Sequence, residues 1–257
     1  MSGIPARARS LSPQDRPVTQ QGHARLPLPC YAAREMRAIT SFDLLERLGR
    51  TRLSRHFFLR DFLFSEIASF HRLPNLPDDP DLMIAAGTRL ATDCLDPLVE
   101  TFGPIALRSC YRSPTVNDFG NDHGLNCARN GATYANHIWD HRDARGRMGA
   151  TACIVIPWFA DQYDRGRDWR DLAWWLHDHL PCSALQFFPI RAACNLTWRE
   201  EPAREISSYI APRGKLLAAG ADPREDAATR AARYADFPPF RGIAYPAIPA
   251  RWQKAPA

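Results

Sequence analysis

No stretch of the chain approaches the roughly 18 consecutive apolar residues that a membrane helix requires, which excludes a membrane-spanning segment on composition. The first thirty residues also lack the apolar core, about 7 to 15 residues long, of a secretory signal. Seven cysteines are present (30, 94, 110, 127, 153, 182 and 194), an odd number with no C-x-x-C step. That pattern argues against a disulfide framework and against a zinc ribbon. These absences make reducing, cytoplasmic surroundings the default expectation. Lysine is nearly missing, two against 31 arginines, with no phosphate-reading pattern beside the arginines, so the bias reads as genomic composition. A Gly-rich phosphate loop and internal repeats are absent as well.

What is present is globular: 257 residues, 45% hydrophobic and 11% aromatic, enough to bury a core. The net charge of +5 is unevenly placed, because residues 1–37 hold six arginines against Asp15 and Glu35. The rest of the chain is close to neutral, so no basic stripe exists for nucleic acid and no nucleic-acid partner is expected. Residues 1–40 are rich in Pro, Arg and Gln without periodicity and are expected to be a disordered leader. Either Met1 or Met36 would serve as the natural start. A folded domain is expected over 41–220, followed by a polar, Pro-rich tail over 221–257.

Within the domain, Phe42, Leu44, Leu45 and Leu48 open a helical pattern, and Phe58, Leu59, Phe62, Ile67 and Phe70 mark a buried element. The strongest helix signal starts at Asp79-Pro80, an N-cap with proline in the first turn, runs through Leu82, Ala86, Leu90, Leu98 and Phe102, and stops at Gly103-Pro104. Pro97 should kink its last turns. Ile105-Ala-Leu107 then reads as a short strand that delivers the segment RSCYRSPTVN (108–117). Residues 118–150 are a long polar stretch with five glycines, and loops of that length are more often functional than idle. TACIVIPWF (151–159) predicts a buried strand, DWRDLAWWLHDHL (168–180) an amphipathic helix, and ALQFFP, ACNLTW and EISSYIA (184–211) successive antiparallel strands. The fold class predicted is therefore α+β, an antiparallel sheet packed by helices, with the cleft on the sheet's open side.

The order of helix, G-P-I-A-L strand, S-x-Y-R-S-P-x-x-N turn, glycine-containing loop, isolated histidine and G-x-x-A-x-I-V-I strand resembles the zinc D-Ala-D-Ala carboxypeptidases, which share a fold with the hedgehog signalling domain and lysostaphin-type peptidases. The likeness spans roughly residues 57–210. The first motif carries it: Ser109, Tyr111, Arg112, Ser113, Pro114 and Asn117 match in order, with Cys110 where the family has glycine. The resemblance implies a zinc ion that activates water and polarises a scissile carbonyl while a glutamate moves the proton. It makes Arg112 the arginine that pairs with substrate oxygens, with Tyr111, Ser113 and Asn117 around the substrate. On the residues alone, Arg112 serves equally well as a brace for the following loop through backbone carbonyls.

His137 matches the first zinc histidine; the bland alternative is a loop histidine bonded to backbone. The family's aspartate falls on Cys153 if HRDARGRM is an insertion, or one residue short of its spacing on Asp143; Cys153 is preferred because it lies on the apolar strand, and a thiolate is a competent zinc ligand. A small buried strand cysteine is the other reading of Cys153. In the last motif Trp198 is in place, but Arg199 stands where the final histidine belongs, and a guanidinium has no lone pair for a metal. No glutamate lies just upstream. Two ligands and no base predict a divergent carboxypeptidase-like protein with impaired or lost zinc hydrolase activity that binds a peptide or cell-wall-like ligand in the ancestral cleft. The alternative is an active zinc peptidase or amidase acting on peptidoglycan stem peptides, a cell-wall-directed action; the third is an unrelated α+β protein with a chance match.

Overall fold

The Asp79-Pro80 signal does what its chemistry demands. In a computed structural model describing residue 39 and residues 41–249, the Asp79 carboxylate accepts from the Leu82 amide at 3.0 Å and caps a helix over Pro80–Leu90. The helix does not run unbroken to Phe102. A π-type turn over Ala91–Leu95 precedes a second segment, Asp96–Phe102, which ends at Gly103 with φ +83°. The wider turn lies immediately ahead of Pro97, whose ring would otherwise press on the carbonyl four residues back. The leader and the two possible starts lie outside the described residues, apart from residue 39.

Among the described residues, six strands form one sheet: β1 (Ala106–Ser109), β2 (Gly149–Val155), β3 (Ala184–Phe187), β4 (Cys194–Arg199), β5 (Glu205–Ser208) and β6 (Gly214–Leu217), in the order β1-β2-β4-β3-β5-β6. The architecture is α+β, but the expected wholly antiparallel sheet is corrected at one pair, since β3 and β5 run parallel. β4 and β5 run in opposite directions with β3 inserted between them, so β5 meets a strand running its own way. The predicted strand over 151–159 is also shorter. It stops at Val155, and Pro157 takes the first turn of a helix over Pro157–Tyr163, where its missing N–H is no loss.

Strand alternation divides the sheet cleanly. Ala152, Leu196 and Leu185 sit side by side on the apolar face with Ile154, Cys194 and Phe187 in the next row, all buried. The Pro80–Leu90 helix and the helix over Trp169–His179 contribute Met83, Leu90, Leu172 and Trp175 to the same core. The opposite face is polar: Thr151, Thr197 and Ala184 form one row, Cys153, Asn195 and Gln186 the next. The six cysteines among the described residues are all free and buried, and no helix there is long and apolar enough to cross a membrane.

Candidate functional site

The Y-R-S-P turn is held by backbone and amide chemistry that its own sequence does not reveal. Asn75, from the Pro- and Asn-rich loop ahead of the long helix, donates from Nδ2 to the Tyr111 carbonyl at 3.1 Å and accepts from the Ser113 amide at 2.7 Å. Ser113 accepts from the Val116 amide and so caps a helix over Pro114–Asp122. Asn117, fully buried, donates to the Ala128 carbonyl and to Asn130 Oδ1, both at 2.8 Å, and thereby pins the loop that follows. Tyr111 is buried too, its hydroxyl donating to Asp140 Oδ2 at 3.0 Å. Burial and the adjacent Asp140 carboxylate push the Tyr111 hydroxyl's pKa far up, and burial also pushes the Asp140 carboxyl up. Asn117 Oδ1 is buried without a partner, but Tyr111, Ser113 and the Asn117 amide nitrogen are thus occupied within the protein.

Arg112 is not. Its amide donates to the His137 carbonyl at 2.9 Å, but its guanidinium makes no hydrogen bond or ion pair among the described residues, and Nε is buried without a partner. Burial lowers its pKa, opposed by the electrostatic pull of Cys127, Cys153 and Glu66. His137 feels the Arg112 charge: burial first and that charge second bring His137 down to about 3. His137 Nδ1 lies 2.7 Å from the Cys110 carbonyl. A carbonyl only accepts, so Nδ1 carries the proton and Nε2 the lone pair. Cys153 sits in β2 between Ser109 and Asn195 on the sheet's polar face, its thiol raised by burial.

These donors do not make up the metal set that the resemblance implies. Among the described residues, the one group of three imidazole, thiol or carboxylate donors within 4.8 Å of one another is Asp78, Asp140 and His141, and it includes neither His137 nor Cys153. The residue opposite Cys153 on β4 is Asn195, whereas Arg199 lies opposite Gly149. At about 3.3 Å per residue, that is some 13 Å farther along the strand. The position matched to the last histidine therefore does not converge with Cys153, whatever residue fills it. Arg199 instead pairs with Asp143 at 3.2 Å. Asp143 also accepts from the Arg145 and Arg147 amides, which together with Arg199 outweigh its desolvation and hold its pKa below the usual carboxylate value. The second possible ligand read from sequence is thus engaged elsewhere.

Farther along the polar face lies a cavity of about 320 Å³ lined by Asn136, Asp143, Arg145, Arg147, Thr197 and Arg199, among others. Asn136 is a residue that pattern reading missed: Thr151 Oγ1 donates to its side-chain oxygen and lies 2.8 Å from Thr197 Oγ1. The segment carrying Asn136 and His137 crosses the sheet so closely that a Cβ on Gly149 would stand 2.3 Å from the Ala135 carbonyl oxygen. Only glycine fits there. No protein-family model matches the chain, nor does any curated protein or solved structure.

Proposed function

We propose that the protein is a divergent, non-hydrolytic relative of the zinc D-Ala-D-Ala carboxypeptidases, of the hedgehog and D-Ala-D-Ala peptidase-like fold, and that it binds a peptide or cell-wall-like ligand through Arg112. The observation that carries this reading is the unpartnered Arg112 guanidinium with its buried Nε. An arginine that braces a fold is tied to carbonyls, as Arg204 is here: its guanidinium donates to Leu180 and Cys182 at 2.7 and 2.8 Å and to His177 as well. Arg112 has no such ties, and a ligand carboxylate or carbonyl would supply the missing acceptor through a bidentate fork. Hydrolysis is not part of the proposal, because His137 and Cys153 offer two donors and Arg199 none.

A peptide ending in D-Ala-D-Ala, titrated calorimetrically beside its C-terminally amidated form, tests this. The free carboxylate form is expected to bind, at least tenfold more weakly in Arg112→Lys, with no D-alanine released. Equal binding by wild type and Arg112→Lys, or no binding at all, overturns it. The alternative, an active zinc-dependent peptidase, is favoured by one observation, the His137 tautomer that leaves Nε2 free. It would show itself as chelator-sensitive D-alanine release.

A further inference from the structure

Tyr111 leads to a second polar cluster, separate from Arg112. Asp140 is 3% exposed. Its Oδ2 accepts from the Tyr111 hydroxyl at 3.0 Å and from the Asp78 amide at 2.6 Å. Its other oxygen, Oδ1, is buried and accepts nothing. A carboxylate oxygen removed from water without a donor is unfavourable enough that such atoms call for a proton or a cation. Two further donors stand beside Asp140. One ligand atom each from Asp78, Asp140 and His141 lies within 4.8 Å of the other two, and His141 Nε2 is 3.2 Å from Asp78 Oδ2.

The arrangement is partly preorganised. The Tyr134 ring stacks on the His141 imidazole at 4.7 Å and 13°, and the Ala135 amide fixes the His141 carbonyl at 2.9 Å. Asp140 is fixed by its two donors. The Asp78 and His141 side chains are 53% and 34% exposed, so they are free to close by rotamer adjustment on an ion with bonds of about 2.0–2.2 Å. Two carboxylates and one imidazole suit a first-row divalent ion, and three protein ligands leave positions open to water.

We infer that Asp78, Asp140 and His141 form a binding site for a divalent transition-metal ion of the zinc, cobalt or manganese kind, with Asp140 Oδ1 as its buried ligand. The ion would tie the loop before the long helix to the segment after His137. Both segments grip the Y-R-S-P turn, one through Asn75 and the other through Asp140. The site is therefore a brace behind Arg112, and it does not depend on what Arg112 binds.

Cobalt is the probe. Full-length protein without a polyhistidine tag is stripped with chelator and titrated with Co²⁺, reading the visible d–d bands and the melting temperature. One Co²⁺ per chain is expected, with a raised melting temperature and no thiolate-to-cobalt charge-transfer band. Affinity is expected to fall at least tenfold in His141→Ala and in Asp78→Asn, and to be unchanged in His137→Ala. Both ligand positions are partly exposed, and a chelated melting transition equal to wild type shows that each variant folds. No uptake by wild type overturns the inference. So does uptake that survives in both folded variants, or a thiolate band that puts the ion on a cysteine.

Discussion

The amide of Arg112 donates to the carbonyl of His137 at 2.9 Å, and the ring of His137 returns a hydrogen bond to the carbonyl of Cys110 at 2.7 Å. Two stretches 25 residues apart are thereby one rigid unit. Burial first and the arginine's charge second lower the imidazole's readiness to hold a proton, while burial alone lowers the arginine's. Such a pair is unfavourable for the fold alone, which is why its consequences are measurable.

Arg112→Met is expected to raise the stability of the ligand-free protein, by about 1 kcal/mol, in chemical denaturation. The substitution removes a half-buried cation whose Nε has no partner and keeps most of the side chain's apolar stem. Sites built for binding commonly sacrifice stability in this way. A loss of stability instead would mean that the guanidinium is a structural post after all.

The pH dependence follows from His137. Its folded pKa of about 3 lies below the unfolded value of 6.5, so between those limits the unfolded chain binds a proton that the folded chain refuses. Stability is full above pH 6.5 and falls as the pH drops through the window. From pH 6.5 to pH 5 this one group removes about 2 kcal/mol. His137→Asn keeps a donor toward the Cys110 carbonyl without the titrating ring. Urea unfolding at the two pH values should show a smaller difference in the variant, and identical differences would refute the assignment.

Tyr111→Phe is expected to destabilise by about 1–3 kcal/mol, because it strips one of the two donors from Asp140 Oδ2 in a buried setting. A double-mutant cycle with Asp140→Asn should return a coupling of about 1 kcal/mol or more. Independent, additive effects would show that the contact contributes nothing.

Much of this was legible in the chain. The Asp79-Pro80 start, the amphipathic run at 168–180 and the turn after β1 all depend on local chemistry, and local chemistry is written locally. What failed to show is whatever depends on partners far away. Pro157 looked like the end of a strand because the apolar run around it is continuous; only the change of direction after Val155 makes it a helix start. The parallel β3–β5 pair is decided by which strand is inserted between which, and no residue in EISSYIA encodes that. Asn75 and Asp140 carry no motif of their own. Their importance lies in contacts to residues 111–113, at separations of 29 to 38 positions. The match of Arg199 to a metal-ligand position failed for the same reason, since sequence order cannot say which β4 residue stands opposite Cys153.

That register yields the sharpest test of descent. If the polar face once held a metal, the position able to complete a site with Cys153 is its direct cross-strand neighbour, Asn195, and not Arg199. Paired residues on adjacent strands bring their Cβ atoms to about 4.5–5.5 Å, well within the span of two ligands on one ion, whereas position 199 is some 13 Å farther along. Asn195→His should therefore gain a cobalt site with a thiolate charge-transfer band, since a bound metal deprotonates a thiol that burial otherwise keeps protonated. Arg199→His should gain none. The band should vanish when Cys153→Ser is added to Asn195→His. If Asn195→His acquires no such band while folding normally, then His137 and Cys153 are not the remains of a metal centre. The Y-R-S-P turn would then be a resemblance without ancestry, and Arg112 would have to be explained without reference to peptidases at all.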